Sequence, residues 1–188
     1  MVLRRIALAT LLYVGTFTCS HADLLGLNIN GNSVEAEYSM GLDKQLGYAE
    51  GSHYSAFVRY LHRDGTLIHV GFTLSGRLEN ADSFEFGGGL EGVFGDSYGA
   101  VPLFVQASYI LPLNDPLPLT TVSARLAYAP SVLTFIDANR YKAFRCEVDS
   151  QIVPRFHLYA GYRTIDTDYE TRNQTFDDSW YGGIRFYF

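Results

Sequence analysis

Beyond one stretch near its start, the 188-residue chain lacks any long apolar run, and it has only two lysines, two cysteines and few charged side chains of any kind. No segment after residue 22 approaches the roughly 18 apolar residues that a membrane helix needs, which excludes a helical membrane protein. Scarce lysine and a net charge of −6 argue against nucleic acid as a partner. Apolar residues almost nowhere recur at helical spacing, which excludes a helical bundle. His53, His62, His69 and His157 have no second histidine at ligand spacing on the same segment, so no zinc site is expected and the metal ligands are set at none.

The first residues read as a leader. Arg4 and Arg5 precede an apolar run over 6–17, and Ser20-His21-Ala22 gives an A-x-A-like cleavage site before Asp23. Cys19 ends that run, but Thr18 and Thr16 depart from a lipid-attachment pattern, so it is assigned to the leader. Domain boundaries follow as 1–22, a cleaved signal peptide, and 23–188, one barrel domain. Removing the leader leaves 12 basic and 20 acidic side chains, a formal charge of −8, with Cys146 as the sole cysteine and no intramolecular disulfide.

What is abundant is aromatic residues, 15% of the chain, and glycine, spread through segments that alternate in polarity. Trp180, Gly182, Ile184, Phe186 and Phe188 share one face of the last segment, with Tyr181, Gly183, Arg185 and Tyr187 on the other. The same period of two predicts strands near 24–30, 33–42, 53–63, 66–77, 83–95, 102–111, 120–130, 140–152 and 156–167. With the last, these make ten, most of them at or above the roughly 9 to 11 residues of a tilted membrane strand. The expected fold is all-β: a closed antiparallel up-and-down transmembrane β-barrel of about ten strands, or eight if 24–42 forms no full hairpin. Asn30-Gly31 and Asp64-Gly65 read as hairpin turns, and Pro112, Pro116 and Pro118 as a connection. Residues 167–178 read as a long acidic outward loop, and 153–155 as a short turn on the side of the chain ends.

If apolar faces meet lipid, the opposite faces line the lumen. That places Glu35, Glu37, Glu85, Glu91, Arg125, Arg145, Glu147, Asp149, Arg163 and Arg185 inside. Isolated charges there are costly and paired ones tolerable, so an ion-pair network filling much of the lumen is expected, with Arg185 near Glu35 and Glu37 through closure of the last strand on the first. Hydrated charges around a narrow pore are the alternative. Ten strands leave little more than the space side chains fill, which disfavours a general diffusion channel.

A catalytic histidine needs partners within hydrogen-bond reach. His69, Ser75 and Glu85 share a lumen face, but six residues along a strand span roughly 20 Å, so no catalytic residue is assigned and the chain is read as not an enzyme. Asp166, Asp168, Glu170, Asp177 and Asp178 lack calcium-loop spacing and read as a solvated loop, and Asn173-Gln174-Thr175, a match to a glycosylation sequon, is given no weight. Gly87, Gly88 and Gly89 lie in a strand with no following helix, which suits close packing or curvature rather than a phosphate loop. Cys146 shares a face with Phe144 and Val148 and reads as an inert lipid-facing thiol.

The stretches LAYAPSVLTF, RYKAFRCEV, VPRFHLYAGYRTIDTDYE and GGIRFYF, with Tyr128, Ala129, Pro130, Tyr141, Pro154, Gly161, Tyr162 and Arg163 among the matched positions, resemble the YfaZ family of outer-membrane proteins. The resemblance covers residues 120–188, and the preceding half in layout. It implies a β-barrel in the outer membrane of a Gram-negative bacterium and brings no catalytic residue and no cofactor. The ending, with Phe186 and Phe188, is similar to the signal read by the outer-membrane assembly machinery, which is expected as a partner beside outer-membrane lipids and lipopolysaccharide. The expected function is structural or surface-interacting, with a narrow solute pore and a lipid-modifying enzyme as alternatives.

Overall fold

The structure is a computed structural model and describes residues 23–46, 51–78, 81–96, 98–113, 117–169 and 174–188. Residues 1–22, read above as a leader and including Cys19, and Pro116, Glu170 and Asn173, lie outside the described residues.

Strands dominate: β1 (Leu24–Ile29), β2 (Val34–Gly41), β3 (Ser52–His62), β4 (Thr66–Leu78), β5 (Ala81–Gly95), β6 (Tyr98–Ala100), β7 (Leu103–Ile110), β8 (Thr120–Ala129), β9 (Thr134–Ile136), β10 (Ala138–Val153), β11 (Phe156–Tyr169) and β12 (Thr175–Tyr187). Every pairing is antiparallel. The ring runs β1-β2-β3-β4-β5-β7-β8-β10-β11-β12 and closes on β1, giving ten strands and no free edge in the wall. Closure brings the first and last described residues together, with Asp23 and Phe188 exchanging backbone hydrogen bonds of 3.3 and 3.0 Å.

The short β6 and β9 are absent from the expected list. β6 folds back on the end of β5 and pairs with β9, carrying the sheet past the ends of β7 and β8 that lie away from the chain termini. Three residues are too few to show a period of two, which is why alternation misses them.

The first turns follow their local chemistry. Asn30 Oδ1 accepts from the amides of Asn32 and Ser33 at 2.7 and 2.6 Å, bending the chain between β1 and β2. The turn at 63–65 lies at the distal end, opposite the termini, while the longer connections between β2 and β3 and between β7 and β8 lie at the terminal end. Connection length alone therefore does not orient the first half of the barrel.

The acidic segment departs from its reading as a loop. β11 reaches Tyr169 and β12 starts at Thr175, so Asp166, Asp168, Asp177 and Asp178 are strand residues. Each has a partner that explains the difference: Thr175 donates to Asp166 at 2.8 Å, Arg140 Nε to Asp168 at 2.8 Å, and Tyr162 to Asp178 at 2.5 Å, while Asp177 is buried inside.

Leu25, Leu27, Ile29, Val58, Ile68, Val70, Leu74, Phe84, Phe86, Leu126, Ile184 and Phe186 are all exposed, making a continuous apolar belt around the outside. A belt that large is far beyond what a water-soluble monomer exposes. No helix among the described residues is long and apolar enough to cross a membrane, and the strands carry the apolar surface instead. The interior holds its own apolar cluster. Leu61, Leu67, Val93, Tyr98, Ala129, Ala138, Tyr141 and Ile165 pack together from strand ends at the distal end of the lumen.

Candidate functional site

Inward positions of eight strands bring the charges together beneath that cluster, in two connected groups. In the larger, Glu35 on β2 accepts from Arg145 Nη1 and Nη2 at 2.8 and 2.6 Å, from Arg163 Nη1 at 2.8 Å and from Asn28 at 2.9 Å. Arg163, 1% exposed, also donates through Nε to Asp177 at 2.7 Å and through Nη2 to Ser33 at 3.0 Å. Arg63 reaches in from the distal turn to the same Asp177 at 2.8 Å.

The group continues toward the terminal end. Arg145 lies 3.5 Å from Glu147, which accepts from Arg185 Nη2 and from the Tyr181 hydroxyl, both at 2.6 Å. Arg185 Nη1 donates to Asp149 at 3.0 Å, and His157 Nδ1 lies 2.5 Å from the other oxygen of Asp149. Glu37 stands 3.9 Å from Arg185, on the strand next but one to it: Gly26 of β1 is in register with both.

The smaller group is a triad. Glu91 Oε2 accepts from Arg59 Nη2 and Arg125 Nη2, each at 2.6 Å, with His69 Nδ1 3.8 Å from the other oxygen. The Arg125 guanidinium lies over the Phe104 ring at 3.5 Å and near the Phe57 ring at 4.8 Å. Those rings fit because two residues facing them have no side chain. A Cβ on Gly89 would overlap the Phe72 carbonyl and stand 2.7 Å from the Phe104 ring, and one on Gly71 would overlap Phe57. Gly89 thus serves close packing within a strand.

Between the two groups lies a cavity of only 20 Å³, room for about one water molecule. A larger cavity of 220 Å³ lies on the terminal side, lined by Glu37, Arg59, Gln106, Ser123, Arg125 and Arg185 among others. Low dielectric strengthens these contacts, and shared partners leave few charges isolated.

Nine of the ten charges placed inside by alternation belong to these groups. Glu85 stands apart: it is in register with exposed Arg77 near the start of β5, with no ion pair among the described residues. Arg59 and Asp177 were missed. Arg59 sits between Phe57 and Leu61 on a strand apolar on both faces, so alternation is silent, and only the cost of an arginine facing lipid points it inward. Asp177 shares the face of Ser179 and Tyr181, which was the available signal. His69 and Ser75 face the lumen at positions in register with Val93 and Gly87, six residues apart along β4. Cys146 is a free, half-buried thiol in register with Ala124 and Tyr162 on the outer face. Among the described residues no cluster of three or more histidine, cysteine or acidic side chains is arranged to hold a metal ion.

A closed antiparallel barrel with an apolar outer wall and a charge-paired interior is an outer-membrane-type β-barrel. The chain belongs to the YfaZ family: the profile described as YfaZ precursor matches residues 3–188, so the likeness seen over the last third extends along nearly the whole chain. No curated protein matches it. Among solved structures it is similar to the KdgM porin, at 10% identity over 89% of this chain and 99% of that chain with a TM-score of 0.44. It is also similar to the NanC porin, at 11% identity over 89% and 99% with a TM-score of 0.42.

Proposed function

We propose that the chain is a structural, non-conducting barrel of the Gram-negative outer membrane, acting through its outer surface and distal connections rather than by transport or catalysis. One observation carries this reading. Apolar side chains from Leu61 to Ile165 fill the distal end of the lumen, and ion pairs between Glu35, Arg145, Arg163 and Glu147 fill much of what lies beneath. The apolar belt fits a lipid environment, with lipopolysaccharide or an external partner at the distal end. Phe186 and Phe188, exposed at the end of the closing strand, suit recognition by the outer-membrane assembly machinery.

Purified barrel inserted in planar bilayers should show no steady conductance. Stable channels would transfer the assignment to a narrow solute pore. His69 lies buried against Glu91 and Tyr141, which suits a part in the charge group rather than a catalytic one. Modification of lipopolysaccharide or phospholipid by the purified protein, abolished by His69→Ala, would overturn it.

A further inference from the structure

Arg125 and Glu37 are two sparsely paired charges that open onto one cavity, and Arg59 beside Arg125 keeps a buried Nε without a hydrogen bond among the described residues. Arg125 makes one hydrogen bond among the described residues, to the same Glu91 oxygen that Arg59 uses, so one carboxylate serves two guanidinium groups. Glu37 has one ion pair there, at 3.9 Å, to an Arg185 that is already bonded to Glu147 and Asp149. The pair stand on β8 and β2, five steps apart in a ring of ten, and therefore on opposite walls. Both line the 220 Å³ cavity. Gln106, Ser108 and Ser123 line it too, and make no side-chain hydrogen bond among the described residues. Elsewhere in the lumen the charges close on one another, whereas here four arginines, two glutamates and three uncharged polar groups face a shared space.

That space equals the liquid volume of about seven water molecules, which suits a ligand of amino-acid to dipeptide size. A plain anion would satisfy Arg125 and Arg59 but leave Glu37 unmet, and a plain cation would satisfy Glu37 but face Arg59, Arg125, Arg145 and Arg185. The two lumen groups balance six arginines against six carboxylates, so either ion would add net charge to a partly desolvated network, which is costly. A zwitterion meets both ends and adds none. The neighbours hold the site in shape: the Phe104 ring lies under the Arg125 guanidinium, so little reorganisation is needed on binding.

We propose that this cavity binds a small zwitterion, its carboxylate on Arg125, its ammonium on Glu37 and its polar atoms on Gln106, Ser108 and Ser123. With the distal end filled by apolar side chains, the ligand reaches it from the terminal end. Binding does not depend on whether the barrel conducts, so the two properties are measured separately.

The test is calorimetric titration of the folded, detergent-solubilised barrel with glycine and glycylglycine, against acetate and methylammonium. Saturable binding of at least one zwitterion is expected, with each half-ligand weaker by roughly tenfold or more. Arg125→Gln and Glu37→Gln should each lower zwitterion affinity by roughly tenfold or more, and Glu85→Gln should leave it unchanged. If Arg125→Gln fails to fold, Glu37→Gln decides, because it removes charge and keeps shape. No saturable binding of either zwitterion, acetate binding as tightly as glycine, or unchanged affinity in Glu37→Gln would each overturn the proposal.

Discussion

Glu91 is the position at which one substitution tests whether the lumen is dry. Its side chain is 1% exposed and neutralises both Arg59, 7% exposed, and Arg125, 16% exposed. Glu91→Ala leaves two guanidinium ions facing each other with no carboxylate bonded to either. Breaking a buried pair by removing one partner costs about 3–5 kcal/mol, and partial access of Arg125 to the cavity keeps the expected loss near about 4 kcal/mol. Glu91→Gln retains the shape and one acceptor, so about 2 kcal/mol is expected. Adding Arg125→Met to Glu91→Ala removes one stranded cation and should restore part of the loss, a coupling that a double-mutant cycle resolves. Urea unfolding from lipid vesicles supplies the readout. Trp180 is the single tryptophan, 76% exposed on the outer wall, so its emission follows transfer from lipid to water. Glu85→Ala is the control, expected within about 0.5 kcal/mol of the parent. A Glu91→Ala loss below about 1 kcal/mol would refute the reasoning, because that is the range of hydrated surface pairs.

Arg185→Ala should cost about 3 kcal/mol in the same assay, since Glu37 loses its ion pair while Glu147 keeps Tyr181 and Asp149 keeps His157. A loss below about 1 kcal/mol would mean that water already solvates that end of the network. Gly89→Ala should cost about 1–3 kcal/mol or prevent assembly, because its Cβ would overlap the Phe72 carbonyl, whereas Gly31→Ala, with nothing near it, should have little effect. Retention of the compact, fast-migrating folded form on unheated gels checks both variants.

Several features were legible residue by residue. Alternation located ten strands to within a few positions, because a strand with lipid on one side and an enclosed lumen on the other repeats its polarity every second residue. The same period placed Glu35, Glu147, Arg163 and Arg185 inside. It failed for Arg59, whose strand is apolar on both faces, and for Asp177, whose acidic neighbours resemble a solvated loop.

A polarity pattern reports which wall a side chain faces and is blind to what stands across the lumen. Strand order, barrel closure and inward charge were therefore set by the amino-acid sequence itself, through solvent on one side and enclosure on the other. Only the folded barrel decided that Glu91 is shared by two arginines, that Glu37 faces Arg125 from the opposite wall, and that Leu61, Leu67, Val93 and Ile165 meet at one end. Those neighbours lie far apart along the chain and converge through the curvature and stagger of the wall, which no local pattern encodes.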